Sequence, residues 1–243
     1  MPSHLAAQRG EPSYVWRAGQ ERRLNMVAKW SKLDGTTILV DGCGVGMYST
    51  EFVKRFSPDV HAMDIELERV AEARDGTPHA VVSTAENLPY PDDAFDTVYS
   101  HEVIEHVADD RAAVLEMVRV ARPGGRIVIF CPNRWYPFET HGHYWRGQYH
   151  FGNTPLINYL PDVLRNRLAP HVKAYTKRGL LRLFAGTPTN VVHHRRVYGG
   201  YDNIIARLGR PAQVIRDLLY RFEGTPLDTF GLSHFLVVEK RAR

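Results

Sequence analysis

The 243-residue chain has no apolar run approaching the ~20 residues needed to cross a bilayer, which excludes a transmembrane helix. It has only two cysteines, Cys43 and Cys131, both in apolar strand-like contexts. A disulfide framework is thereby excluded, and a reducing, cytoplasmic setting is expected. The first ten residues lack the apolar core of a secretory signal. There are no internal repeats and no low-complexity segments, which argues against a solenoid or a disordered tail. With 44% hydrophobic and 24% charged residues, the composition is that of a globular domain of ordinary size.

Charge is unevenly spread. Residues 1–139 hold 15 basic and 21 acidic residues, and residues 140–243 hold 16 and 6, so a net of −6 is followed by +10. A basic half of this kind attracts an anionic small molecule, a nucleic acid or an acidic lipid surface, and charge alone does not choose among them.

From residue 36 onward, strand and helix signals alternate. Strands are expected at residues 37–43, 59–65, 80–84, 95–101, 126–131, 190–197 and 234–239. Helical stripes lie between them: Tyr48, Phe52 and Phe56; Leu67, Val70 and Ala71; Val114, Met117, Val118 and Ala121. The last stripe is preceded by the capping candidates Asp109 and Asp110 and is expected to stop at Pro123-Gly124-Gly125. Strands separated by helices imply crossovers, hence an α/β fold with a mostly parallel sheet covered on both faces. Residues 132–170 are rich in aromatic, His, Asn and Pro residues without clean alternation, and are read as a lid inserted after the fifth strand. Short helices are expected at 161–168, 180–184 (capped by Thr176) and 211–222. A single domain is expected, divided into an N-terminal helical segment (1–35), a ligand-binding half (36–131), the lid (132–170) and the rest of the sheet (171–243).

The first strand runs into Asp41-Gly42-Cys43-Gly44-Val45-Gly46. Glycines here allow a sharp turn and close approach of a ligand to the backbone. The dinucleotide fingerprint requires a third glycine at position 47, which is Met47, so a nicotinamide enzyme is disfavoured. In context, ILVDGCGVG, VHAMDIE, STAENLPYPDDAFDTVYSHEVIEHV and VARPGGRIVI follow one another between residues 38 and 129. Together they resemble the class I S-adenosylmethionine-dependent methyltransferases, in the branch that includes the quinone-biosynthesis methyltransferases. The resemblance implies a Rossmann-like seven-stranded sheet with an antiparallel last strand, and S-adenosyl-L-methionine as methyl donor.

Carried onto this chain, the resemblance puts Gly42, Gly44 and Gly46 beside the donor's amino-acid and ribose parts. Asp64, followed by Ile65, accepts from the ribose hydroxyls; Ala85 and Glu86 flank the adenine; Ser100 and His101 lie near the reactive methyl. Two departures stand out. The family's first acid falls at Val40, with Asp41 one residue later and so on the other face of the strand, and a frequent adenine-side Asp is Thr84. Residues Tyr14 to Arg17 either fold over the site or pack Trp16 on the core, the second being preferred.

A histidine is the natural base for an oxygen acceptor, with His101 best placed and His143 a lid candidate beside His141 and His150. Glu102, Glu105 and His106 fall on one side of a turn and suit Mg or Mn. A similar Glu-x-x-Glu-His is a metal site in some family members and structural in others. The structural role is preferred and ligation is left undecided, with activity expected to survive chelation. The expected acceptor is an oxygen or nitrogen on a small-molecule, lipid or glycan intermediate; an anionic, lipid-linked acceptor met at a membrane surface fits the basic half, and nucleic acid is disfavoured. The alternatives are a metal-assisted RNA or polyphenol O-methyltransferase and a non-catalytic donor-binding scaffold.

Overall fold

A computed structural model describes residues 14–242; the expectation about residues 1–10 lies outside them. Seven strands form one sheet: β1 (Ile38–Asp41), β2 (Val60–Asp64), β3 (His79–Val82), β4 (Phe95–His101), β5 (Ala121–Pro132), β10 (Thr189–Val197) and β11 (Ser233–Lys240). Their order is β3-β2-β1-β4-β5-β11-β10. The five N-terminal strands are parallel, and β11 runs antiparallel between β5 and β10. This is the expected architecture, with the antiparallel last strand in place.

The alternation of side chains along the strands builds two cores. Ile38, Val40, Tyr99, Val128 and Phe130 face α1 (Ala18–Trp30) and α2 (Met47–Arg55), which contribute Leu24, Val27 and Phe52. Leu39, Met63, Val98, Ile127 and Ile129 face α4 (Asp110–Val120), which buries Val114, Met117 and Val118 as its stripe requires. Asp109 caps α4 by accepting from the Ala112 amide at 2.9 Å. That helix ends at Val120, before the Pro-Gly-Gly; Ala121 is already extended, and Pro123 to Gly125 belong to the longer β5. Trp16 precedes α1 and meets the Tyr48 ring edge-on at 5.2 Å, so it packs on the core. Both cysteines are free and buried.

Between β2 and β3 lies α3 (Leu67–Ala73). The lid consists of short pieces: β6 (Phe138–Glu139) pairs with β9 (Thr154–Pro155), and β7 (His143–Trp145) with β8 (Gln148–His150), followed by α5 (Asp162–Leu168). Its anchor is a buried ion pair, Arg165 Nη2 to Glu139 Oε2 at 2.8 Å. After it come α6 (Lys177–Arg182), capped by Thr176 through the Gly179 amide, then α7 (Asp202–Leu208) and α8 (Arg210–Arg221). No described helix is long and apolar enough to cross a membrane.

Candidate active site

A cavity of about 780 Å³ opens at the C-terminal ends of β1 to β4, where open parallel sheets bind ligands. Its walls include Asp41, Gly42, Gly44, Asp64, Ile65, Thr84, Ala85, Glu86 and His101. The structure thus gathers most of the residues singled out from the sequence, and three need correction. Gly46 does not line the cavity. It starts α2 with φ +86°, and a Cβ there would come within 2.9 Å of Ala73, so it serves helix packing. Ser100 lies behind the wall, buried, opposite Asp41 in the β1–β4 register. His143 sits on the lid hairpin, hydrogen-bonded to the Thr154 hydroxyl at 2.9 Å; the lid histidine that reaches the cavity is His141.

Gly42 shows why glycine is required here. Its φ is +70°, and a Cβ would lie 2.2 Å from the Val103 side chain. The loop is held by Asp64, whose Oδ2 accepts from the Gly44 amide at 2.9 Å and whose Oδ1 accepts from the Glu66 amide at 3.0 Å. Each oxygen keeps a further lone pair for a hydroxyl in the cavity.

Asp41 is fully buried and lines the cavity; the Ser100 hydroxyl lies beside it, but neither carboxylate oxygen has a well-formed hydrogen bond or a cation. Burial pushes its pKa up to about 7. A buried, unpaired carboxylate is costly unless a ligand completes it, and a cationic one suits best. At the next position back, Val40 belongs to the core cluster of Tyr48 and Tyr99 and adds an apolar surface to the cavity. Opposite stands Arg23 of α1, which lines the cavity together with Gln20. Its Nη1 donates to His101 Nε2 at 3.0 Å, which assigns the imidazole proton to Nδ1. Burial, then the Arg23 charge, push His101 down to about 3, so it is neutral and a weak base. Neither Gln20 nor Arg23 was legible as a site residue. The available signal was Arg23 standing just before Leu24 on the edge of the stripe that α1 buries.

The floor continues into the turn after β4. Glu102 adopts φ +57°, a left-handed conformation rare for a non-glycine residue and often found at functional sites. Residues 103–106 form a single turn rather than a helix. Glu105 is 1% exposed and neither of its oxygens has a well-formed hydrogen bond; burial, then the neighbouring Glu102, raise its pKa well above the carboxylate range. His141 comes down from the lid between Glu102 (Nε2 to Oε2, 3.5 Å) and Glu139 (Nδ1 to Oε1, 3.2 Å). Burial opposes its charge, but these two carboxylates overcome that and raise it to about 10. His106 turns Nδ1 to the His171 carbonyl at 3.3 Å, and burial and the His141 charge lower it to about 4. One donor atom from each of Glu105, His106 and His141 lies within 4.8 Å of the others.

A second pocket of about 270 Å³ adjoins the first under the lid. It shares Arg23, Glu102 and Thr140 with the larger cavity and adds Asn133, Tyr136, Phe138 and Asn158.

Residues 39–129 match the family described as "Methyltransferase domain". The chain is 35% identical over 115 residues to 2-methyl-6-phytyl-1,4-hydroquinone methyltransferase of Synechocystis sp. (strain ATCC 27184 / PCC 6803 / Kazusa), covering 44% of this chain and 36% of the relative. It is 32% identical over 129 residues to malonyl-[acyl-carrier protein] O-methyltransferase of Serratia marcescens, covering 51% and 50%. The chain therefore spans about a third to a half of the length of these relatives. Across nearly its whole length it shares the fold of an S-adenosylmethionine-dependent methyltransferase of Mesorhizobium loti, with a TM-score of 0.64, 19% identity, and coverage of 91% and 98%.

Proposed function

We propose that this chain, whose residues 39–129 form a class I S-adenosylmethionine-dependent methyltransferase domain, moves a methyl group to an oxygen or nitrogen of a small-molecule or lipid-linked acceptor. The observation that carries this is the pairing of two compartments. A cavity of about 780 Å³ bears the glycine loop, Asp64 and an unsatisfied Asp41, and shares Arg23, Glu102 and Thr140 with a smaller pocket beneath the lid. The residues fit the donor. Asp41 suits its positive charge, Arg23 its carboxylate, Asp64 its ribose hydroxyls, and Ala85, Glu86 and Thr84 the adenine end. When bound, the donor supplies an electrophilic methyl on a sulfonium.

The protein's own contribution is positional. Holding acceptor and donor in register replaces a bimolecular encounter, and this supplies most of the acceleration expected of a pre-activated methyl. His101 is a positioning residue in this reading. Its neutral ring orients Arg23, and with its basicity so reduced it does not take the acceptor's proton near neutral pH. The acceptor pocket mixes Tyr136 and Phe138 with Asn133 and Asn158, suiting a group with an apolar body and a polar reacting end. The names of the two curated relatives, one acting on a phytyl-hydroquinone and one on a malonyl acyl-carrier protein, support acceptors of that kind. A thermal-shift panel tests the reading: S-adenosylhomocysteine should raise the melting temperature and NAD should not. A shift with NAD alone would replace this reading with a nucleotide-dependent one.

The Glu105, His106 and His141 cluster favours a second reading, metal-assisted transfer to a hydroxyl. The buried carboxylate of Glu105, which has no cation beside it and no well-formed hydrogen bond, and the tethering of His106 Nδ1 and His141 Nδ1 suit a divalent cation. Against it, His141 is already satisfied as a cation between two carboxylates. Chelation with EDTA separates the two: unchanged turnover supports the first, and loss restored by Mg or Mn supports the second.

A further inference from the structure

The helical hairpin α7–α8 is an outlier in the packing. No residue of α7 is buried, and Ala212 alone is buried in α8. Yet the pair carries Ile204, Leu208, Val214, Ile215 and Leu218 in solvent, with Leu208 64%, Val214 66% and Ile215 60% exposed. Pro211, Val214, Ile215 and Leu218 recur at i, i+3, i+4 and i+7, so they form one stripe of α8. Gly209, at φ +64°, makes the bend between the helices. Isolated exposed leucines are ordinary; a sequence-contiguous set on two adjoining helices marks a surface that something covers.

The charges around the stripe say what covers it. The hairpin has four arginines, at 207, 210, 216 and 221, and two acids, Asp202 and Asp217. Asp202 is turned inward onto the Gly19 amide at 3.2 Å, and Asp217 is neutralised by Arg216 at 2.8 Å. Arg207, Arg210 and Arg221 are exposed, and no described carboxylate is paired with them. The one aromatic side chain of the hairpin's second helix, Tyr220, faces inward, donating to the Gly199 carbonyl at 3.2 Å beneath the Arg22 guanidinium. Protein interfaces concentrate binding in buried aromatics. A projecting aliphatic ridge with arginines beside it has the chemistry of an interfacial helix on an acidic bilayer.

We propose that α7–α8 is a membrane-docking element that inserts Leu208, Val214, Ile215 and Leu218 at the surface of an anionic bilayer while Arg207, Arg210 and Arg221 meet the lipid phosphates. The hairpin stands on α1: Asp202 holds Gly19, and Glu223, just past α8, pairs with Arg22. The same α1 carries Gln20 and Arg23 into the cavity. Docking would therefore bring the cavity close to lipid-borne acceptors; this last consequence rests on the methyl-transfer reading, and the docking itself does not.

The test uses the full chain without donor, co-sedimented with vesicles of phosphatidylcholine alone or with phosphatidylglycerol added, at low and at high salt. The expected result is binding to the phosphatidylglycerol vesicles that weakens with salt. The pair Ile215→Asp with Leu218→Asp should lower it by about tenfold or more, and the pair Arg207→Glu with Arg210→Glu should abolish the preference for anionic lipid. Because these side chains are exposed, the melting temperature should not change, which separates lost docking from lost folding. Wild-type protein that ignores phosphatidylglycerol vesicles at low salt would overturn the proposal. So would a wild-type dimer, seen by analytical ultracentrifugation, that Ile215→Asp and Leu218→Asp convert to monomer without any vesicle binding; the ridge would then join two copies of this chain.

Discussion

The two walls of the cavity are built by different means. The wall from β1, β2 and β3 is made of short local patterns: a glycine turn, a carboxylate at a strand end, and amides bonded to it within about two dozen residues in sequence, as between Gly44 and Asp64. The wall from the lid is made of side chains brought together across the chain, in the sequence Glu102, His141, Glu139, Arg165. The first wall spends stability on a ligand, leaving Asp41 buried beside the Ser100 hydroxyl with no cation to pair it. The second is internally satisfied. Substitutions in the lid wall should therefore cost folding, and substitutions in the strand-end wall should cost binding.

The largest effect is expected at the lid anchor. Arg165→Ala leaves buried Glu139 with only the His141 charge that it shares with Glu102, and strips the bonds that Arg165 makes to Asn158 and the Val172 carbonyl, a loss of up to about 3–5 kcal/mol. Replacing both partners together, Glu139→Leu with Arg165→Met, should cost much less than Arg165→Ala alone. Chemical denaturation with hydrogen exchange over residues 138–170 checks both; equal losses would show that the pair is not coupled. Next comes Gly42→Ala, where the forced contact with Val103 and the positive φ should cost on the order of 1–3 kcal/mol and remove donor binding. If the alanine protein binds S-adenosylhomocysteine normally, the loop is not where the ligand approaches.

Asp64→Ala should weaken donor binding by roughly 1.5–3 kcal/mol, the scale of hydrogen bonds to a charged group. The smallest effect has the opposite sign on stability. Asp41 keeps its proton up to about pH 7 in the folded chain, while an unfolded aspartate loses it near pH 4. The ligand-free protein therefore loses stability from this group as pH rises between about 4 and 7, and regains none above. Asp41→Asn should raise the melting temperature of the ligand-free protein at pH 8, by on the order of 1–3 kcal/mol of stability. It should also lower donor affinity, and abolish the rise in affinity expected between pH 6 and 8 as the carboxylate ionises. A lower melting temperature at pH 8 would show that Asp41 is paired in the folded chain.

The same contrast explains what was legible in the sequence. The strand positions, the glycine turn after β1 and Asp64 at the end of β2 are encoded by period, turn chemistry and motif within one stretch, and the structure has these elements there, with Gly46 turned to helix packing. Asp41 was expected among the donor-binding residues, though one residue off the family's usual acid, and as the last residue of β1 it lines the cavity beside Val40. His143 was favoured in the lid, and His141 is the lid histidine that lines the cavity; His143, two residues on, opens the β7–β8 hairpin, whose register cannot be phased from aromatics alone. Arg23 and the Glu139–Arg165 pair have no local signature, since their meaning arises only when distant elements meet. The hairpin α7–α8 lies between: α8 was legible as amphipathic through Val214, Leu218, Leu219 and Phe222, but α7 and the outward stripe of Val214, Ile215 and Leu218 were not.

Calorimetric titration of S-adenosylhomocysteine into wild-type protein and into Asp64→Ala tests the central claim, that the strand-end cavity is a donor site, most directly. Binding of micromolar order by the wild type, weakened in Asp64→Ala with its fold intact, is the predicted result. No heat and no thermal protection of the wild type at millimolar ligand would contradict it.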